Sequence, residues 1–334
     1  MRTLITTVPF GEIDRTPREL LSEAGVDFDV NPTGRRLTEN ELTDLVAEYD
    51  VLVAGTEPIS RLVLDNAPRL KLISRVGIGL DSVDLLEARK RNISVSYTPD
   101  APSPAVAELT IGLMLTLLRK ISISNSQLHQ GVWRRYFGKR LSESVVGVIG
   151  VGRIGKRVIS LLKGFNCMEI LVNDLAPSDL GGAAAECQWV EKERIYREAD
   201  IITLHVPLTG ETKNMIRGEH LEMMKSGALL INTARGGIIN EDDLYMTMLK
   251  GHLGGAAIDV FETEPYFGPL VEVDHCVLTA HMGSMTEDCR TRMEIEATEE
   301  VVRFISGQPL QNTVPEAEYE IQSGRLLLRG QEIQ

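Results

Sequence analysis

Residues 145–164 read Val-Val-Gly-Val-Ile-Gly-Val-Gly-Arg-Ile-Gly-Lys-Arg-Val-Ile-Ser-Leu-Leu-Lys-Gly. The run Val145 to Ile149 is apolar and rich in β-branched residues, which predicts a buried strand. Gly150, Gly152 and Gly155 follow at Gly-x-Gly-x-x-Gly spacing. Helical periodicity then takes over, with Ile154, Val158, Leu161 and Leu162 on one face. Each glycine has its own work: Gly150 allows the tight turn, Gly152 lets backbone approach a pyrophosphate, and Gly155 lets helix pack on strand. The helix start would aim unpaired N–H groups and the positive dipole end at the phosphates, with Arg153 and Ile154 in its first turn. A second apolar strand, Met168 to Val172, leads to Asp174, 19 residues past Gly155. That is where an acid would bind the ribose hydroxyls. The stretch therefore predicts a dinucleotide site. No cation accompanies Asp174 in Leu175-Ala176-Pro177, so a 2′-phosphate would meet repulsion and NAD is the expected cofactor.

Outward from this stretch the same alternation continues. At 334 residues the chain has room for two domains. Strands are expected at Leu4 to Val8, Val26 to Val30, Val51 to Thr56, Lys71 to Val76 and Ile93 to Tyr97, with helices between them. Thr38-Glu39-Asn40-Glu41 is a capping box that opens one of these helices. A long apolar helix, Ser103 to Arg119, leads into the second series. Its strands are expected at Ile170 to Val172, Ile201 to Val206, Ala228 to Thr233, Ala256 to Val260 and Cys276 to Thr279. Largely unbroken apolar strands alternating with helices predict parallel sheets covered on both faces. One more helix, Thr286 to Ile305, is expected to return to the first domain. The tail from Gln311 is polar apart from Leu326 to Leu328, and a short hairpin is the expectation there.

Composition narrows the function. Apolar residues make up 43% and charged residues 25%, as in soluble globular proteins. A net charge of −13 argues against a nucleic-acid partner, and a small anionic substrate would need a local basic pocket. Four cysteines (Cys167, Cys187, Cys276, Cys289) lack paired or metal-like spacing, so no metal site is expected and the thiols read as reduced and cytoplasmic. The apolar run Ala105 to Leu118 contains Glu108 and is too short for a membrane span. Pro9 breaks the first apolar run too early for a signal peptide.

In open α/β sheets ligands bind beyond the carboxyl ends of the strands. Gly77-Ile78-Gly79 follows one strand, and its bare N–H groups would suit a carboxylate. His205-Val206, Thr233-Ala234-Arg235-Gly236, Glu262 with Glu264, and His281 follow others. Arg235, Glu264 and His281 would then share one cleft. A histidine can take a hydroxyl proton as hydride departs, a carboxylate can fix its tautomer, and an arginine can hold a substrate carboxylate in two hydrogen bonds. The cluster Trp133, Arg134, Arg135, Tyr136, Phe137, Lys139 and Arg140 reads either as a solvated loop or as a subunit-interface segment bringing cations to an anionic substrate.

Six stretches carry a resemblance: Gly77-Ile78-Gly79-Leu80-Asp81, Val106-Ala107-Glu108, Gly150 to Gly155, Asn232 to Gly236, Asp259 to Pro265, and His281-Met282-Gly283. Together the chain resembles the D-isomer-specific 2-hydroxyacid dehydrogenases, nearest the D-3-phosphoglycerate dehydrogenase branch in its short form without a regulatory domain. The resemblance implies two doubly wound parallel-sheet domains. A Rossmann NAD-binding domain, 100–285, is inserted in a flavodoxin-like substrate domain, or lid, made of 1–99 and 286–334. It implies that His281 is the acid/base, Glu264 its partner and Arg235 the carboxylate ligand. Cofactor contacts are implied from Gly150, Gly152, Arg153, Ile154, Gly155, Asp174, Val206, Thr233, Asp259 and Gly283. Substrate contacts are expected from Arg75, Gly77, Ile78, Gly79, Arg235 and His281. A homodimer is implied through the segment after Glu108.

The resemblance also implies NAD-dependent interconversion of a D-2-hydroxy acid and its 2-oxo acid, with 3-phosphoglycerate and 3-phosphohydroxypyruvate first in line. A glyoxylate or hydroxypyruvate reductase and a sugar-acid dehydrogenase stay open as alternatives, and an NAD(H)-sensing regulatory protein is a further one. Glu264 stands where formate enzymes have glutamine. Pro102, Asn240 and Ala280 depart from the family pattern without removing a catalytic group. The loop Gly55-Thr56-Glu57-Pro58 is acidic where the phosphoglycerate enzymes place an arginine. Arg75, Arg134 and Arg135 are the expected substitutes for that charge.

Overall fold

The computed structural model describes residues 1–175 and 187–324. The chain divides into two compact units: Met1–Pro102 with the described part of Met285–Gln334, and Ser103–Ser284. The boundary after Pro102 puts the whole helix that starts at Ser103 in the second unit.

The first unit opens with β1 (Arg2–Ile5), α1 (Thr16–Glu23), β2 (Asp27–Val30), α2 (Glu39–Leu45), β3 (Val51–Ala54), α3 (Arg61–Asp65), β4 (Leu72–Arg75), α4 (Leu85–Lys90) and β5 (Ser94–Ser96). All five strands are parallel, in the order β2-β1-β3-β4-β5, which is the flavodoxin-like order. The central strands β3 and β4 are buried at every residue, while the edge strand β2 is not. The capping box forms: Thr38 Oγ1 accepts from Glu41 N–H at 3.3 Å, and Glu41 Oε2 accepts from Thr38 N–H at 2.9 Å. Ser60 and Asp84 cap α3 and α4 by a single bond each, accepting from Leu62 N–H and Glu87 N–H.

The second unit begins with α5 (Ser103–Arg119), apolar nearly all round and mostly buried. Then come α6 (Ile121–His129), β6 (Val145–Ile149), α7 (Arg153–Gly164), β7 (Glu169–Asn173), β8 (Cys187–Trp189), α8 (Lys192–Glu198), β9 (Ile201–Leu204), α9 (Gly218–Met223), β10 (Leu229–Asn232), α10 (Glu241–Leu249), β11 (Gly255–Ile258) and β12 (Cys276–Leu278). The seven strands pair in the order β12-β11-β10-β9-β6-β7-β8. Counted from β6, this is the Rossmann order with one added strand. Helix α6 and strand β8 were not expected from sequence. Ile-Ser-Ile-Ser-Asn-Ser-Gln-Leu-His has weak periodicity and buries nothing, and β8 is a three-residue edge strand.

The chain then returns to the first unit. Helix α11 (Glu287–Ile305) is fastened there by a buried ion pair, Arg290 Nε to Glu294 Oε1 at 2.6 Å. Glu294 Oε2 accepts the Gly11 N–H at 2.7 Å, and Arg290 donates to Thr7 Oγ1 at 2.8 Å and to the Pro9 carbonyl. In the described part of the tail a helix stands where a hairpin strand was expected. Glu316–Gln322 forms α12, whose Arg89–Glu316 pair and Tyr319 face hold it on α4. Gln322 accepts from Leu85 N–H at 2.9 Å and donates to the Val83 carbonyl at 2.6 Å. Leu326 to Leu328 lie outside the described residues. Among the described residues no helix is long and apolar enough to cross a membrane.

The glycine-rich turn shows why two of its residues have no side chain. Gly150 has φ +98°, and a Cβ there would lie 2.5 Å from the His205 carbonyl. At Gly155 it would lie 2.0 Å from the Gly150 oxygen. Gly155→Ala must push helix from strand, which costs about 1–3 kcal/mol as overpacking does. The expected outcome is a lower denaturation midpoint, measured against wild type in urea.

His205 sits beside this turn. Its Nε2 pairs with Thr203 Oγ1 at 3.0 Å, while Nδ1 is buried with no partner. Burial pushes its pKa from 6.5 down to about 3. The unfolded chain therefore takes up a proton below pH 6.5 that the folded chain refuses. Stability should fall as pH drops from about 6.5 toward 3, by at most ~1.4 kcal/mol per pH unit. Unfolding midpoints between pH 6.5 and 5 should lose this slope in His205→Gln, and an equal slope in both proteins would refute the assignment.

Candidate cofactor site and catalytic cluster

The register of the second sheet sets the site. Asn173, Ile149, Leu204, Asn232, Ile258 and Leu278 lie in one row across neighbouring strands. Parallel strands that end together release their loops along one edge. Asp174, Gly150, His205-Val206, Thr233 to Arg235, Asp259 to Glu264 and Thr279 to His281 all leave from that edge.

At its β6–β7 end the edge is built for a dinucleotide. Helix α7 starts at Gly152 with no side-chain cap, so its first N–H groups remain available to a ligand. A Cβ on Gly152 would meet nothing within 4 Å, so the space over the helix start is open. Asp174 Oδ2 accepts the Val151 N–H at 2.6 Å, which ties the expected ribose ligand to the turn that precedes the helix. Arg153 is exposed and Ile154 half-buried in the first turn. These residues fit NAD. Ala176 and Pro177 lie outside the described residues.

At the other end the edge carries the catalytic types. His281 Nδ1 lies 2.9 Å from Glu264 Oε2 and 3.1 Å from Oε1. Glu264 Oε1 also accepts the Phe261 N–H at 3.1 Å, so the carboxylate is held by its own loop. A carboxylate accepts only, so Nδ1 carries the proton and Nε2 is left for exchange. Among the described residues Nε2 has no partner. The histidine backbone is left-handed, φ +50°, which turns the ring out of line with β12.

Asp259 holds that unusual turn. It is 1% exposed, and its carboxylate accepts from Thr279 Oγ1 at 2.6 Å, Met282 N–H at 2.9 Å and Gly283 N–H at 3.0 Å. His281 N–H completes the clamp on the Asp259 carbonyl at 2.8 Å. The side chain of Asp259 thus orders residues 279–283, a duty the sequence did not suggest.

Arg235 is half-buried, with Nη1 donating to the Ala234 carbonyl at 2.7 Å. Asn232 clamps its turn from both sides, accepting from Ala234 N–H at 3.0 Å and donating to the Arg235 carbonyl at 2.8 Å. A Cβ on Gly236 would lie 2.0 Å from the Phe261 carbonyl, so the Arg235 turn packs directly on the Glu264 loop. Thr233 Oγ1 bonds Thr110 Oγ1 of α5 at 2.9 Å. Asn232, Thr110 and His205 had no role in the sequence reading. An amide or histidine at the last position of a buried strand, where apolar residues are expected, was the available signal.

In the first unit the Gly77 turn is partly committed. Gly77 N–H donates to Thr98 Oγ1 at 2.8 Å, which leaves the N–H groups of Ile78 and Gly79 as the donors for a carboxylate. Arg75 is 5% exposed and donates to the Val76 carbonyl at 2.8 Å. Glu57 does not present its charge. It is 1% exposed and accepts from Thr6 Oγ1 and from Gly55 N–H at 3.0 Å. The cation that reaches this loop is Arg36, which donates to the Thr56 carbonyl at 2.8 Å.

The sequence pattern of the D-isomer specific 2-hydroxyacid dehydrogenase NAD-binding domain matches residues 111–283. D-3-phosphoglycerate dehydrogenase of Methanocaldococcus jannaschii is 38% identical over 83% of this chain, which spans 54% of that protein. Hydroxypyruvate reductase of Thermotoga maritima is 36% identical over 81% of this chain and 90% of its own length. Among solved structures, the D-lactate dehydrogenase of Aquifex aeolicus, complexed with NAD and lactic acid, superposes with a TM-score of 0.81 at 26% identity, covering 92% of this chain and 96% of its own. A Rossmann sheet whose strand ends carry an NAD-type turn, an arginine and a His–Glu pair, matched in sequence over most of its length, places this chain in the D-isomer-specific 2-hydroxyacid dehydrogenase family.

Proposed function

We propose that the chain interconverts a D-2-hydroxy acid and its 2-oxo acid with NAD, and that 3-phosphoglycerate and 3-phosphohydroxypyruvate are the pair it takes. The observation that carries the chemistry is the His281–Glu264 hydrogen bond with Nε2 left open. When bound, NAD supplies the hydride acceptor. Gly150, Gly152, Arg153, Ile154 and Gly155 would hold its pyrophosphate, and Asp174 its ribose. Val206, Thr233, Asp259 and Gly283 would line its nicotinamide end.

His281 Nε2 accepts the hydroxyl proton in oxidation and returns it in reduction. Glu264 keeps the proton on Nδ1 and favours the imidazolium formed in the reaction. Arg235 holds the substrate carboxylate in two parallel hydrogen bonds and polarises the neighbouring carbonyl. The Ile78 and Gly79 N–H groups, with Arg75, belong to the substrate-binding set in this reading. The phosphorylated substrate is supported by Arg36, whose guanidinium reaches the Thr56 carbonyl of the Gly55-Thr56-Glu57-Pro58 loop, and by the similarity to D-3-phosphoglycerate dehydrogenase. An unphosphorylated acid, glyoxylate or hydroxypyruvate, is the second reading, supported by the hydroxypyruvate reductase similarity.

A homodimer belongs to the proposal. Ile121, Leu128, Val132, Trp133 and Phe137 expose a run of apolar side chains along 121–137, more than a monomer surface keeps without use. Arg134, stacked on Tyr136, lies in the same run.

His281→Ala should lower kcat by about 10²–10⁴, the usual share of a general acid–base group, with NADH affinity retained. Fluorescence titration of NADH beside turnover checks both, and near wild-type turnover would sink the catalytic assignment. The substrate is tested by NADH oxidation with 3-phosphohydroxypyruvate, hydroxypyruvate, glyoxylate, 2-oxoglutarate and pyruvate. The phosphorylated acid should give the highest kcat/KM, and a higher value for an unphosphorylated acid would transfer the proposal to the second reading.

A further inference from the structure

The chemistry above uses one carboxylate, Glu264. A second stands behind it. Glu241 is the first residue of α10, and that helix is capped by Asn240 rather than by Glu241. Its side chain is therefore spare for helix formation. Instead Glu241 Oε1 accepts the Glu262 N–H at 2.7 Å. One residue earlier, Phe261 N–H is accepted by Glu264. Two consecutive N–H groups of the catalytic loop are thus held by two different carboxylates. Gly236, on the Arg235 turn, packs against the same peptide. Stacking of Phe261 on Tyr266 at 4.2 Å closes the loop on its far side.

Charge adds to geometry. Glu241 is half-buried, and burial raises its pKa, against the hydrogen bond from Glu262 N–H and helped by the charges of Glu262, Asp242 and Glu264. Tyr266 faces it as well, and Lys213 stands 3.8 Å from Glu262. A carboxylate kept in such company is costly unless it has a task.

We propose that Glu241 is a positioning residue for the Glu264–His281 pair: it fixes the 261–264 loop through Glu262 N–H and adds a second negative charge behind Glu264. This rests on the reading of that pair as the acid/base. A negative charge close to Glu264 would favour the imidazolium that forms at His281 in the reaction.

The test is the pH dependence of kcat/KM for Glu241→Gln and Glu241→Ala, with His281→Ala as reference. Glu241→Gln keeps the acceptor for Glu262 N–H and removes the charge. Its controlling ionisation should move to lower pH by on the order of half a pH unit, with kcat at the optimum within about twofold of wild type. Glu241→Ala also frees the loop, and its kcat should fall about tenfold while NADH affinity holds. An unmoved profile in Glu241→Gln overturns the proposal, even if Glu241→Ala is less stable. Retained turnover in His281→Ala would instead overturn the reading beneath it.

Discussion

Six neighbouring parallel strands that stop in one row are the constraint on which the rest of the second unit depends. Parallel pairing has one register between neighbours, and the row from Asn173 to Leu278 is its product. Every loop that leaves the row starts within a strand spacing of the next, roughly 4.8 Å. Residues separated by more than a hundred positions, such as Gly150 and His281, therefore belong to one edge. Two glycines enforce the closeness. The Gly155 contact presses helix to turn, and the Gly236 contact presses the arginine turn onto the acid loop.

What the sequence made legible follows from locality. The Gly-x-Gly-x-x-Gly turn, the Thr38 capping box and the unbroken apolar strands are each written within a few residues. The His281–Glu264 pairing was legible because strand ends in α/β sheets share an edge. The orienting shell was not. Asn232 looks like a strand residue until its two bonds to the 234–235 turn are seen. Asp259 reads in sequence as a cofactor contact, and its second task, holding three donors of the His281 loop, shows only in the fold. Glu57 was misjudged for the same reason. Its charge reads as a surface property in sequence, and only Thr6 and Gly55, from two other stretches, turn it inward.

Among the described residues the buried carboxylates follow one rule: each is met by backbone N–H groups or by a partner. Asp259 takes two N–H groups, and Glu294 takes Gly11 N–H and Arg290. Such arrangements contribute order rather than raw stability, because removing one partner strands the other in a dry interior. His281 is bound on one side only, through Nδ1 to Glu264.

The Arg290–Glu294 pair spans the chain. It bonds residues 283 positions apart, Glu294 to Gly11 and Arg290 to Thr7. The first unit is therefore sewn from segments on either side of Ser103–Ser284, which is itself continuous. On a ribosome the middle can close on itself while the first hundred residues still lack α11. For that interval the face of the first sheet that will receive Ser74-to-Ala297 and its neighbours stays uncovered.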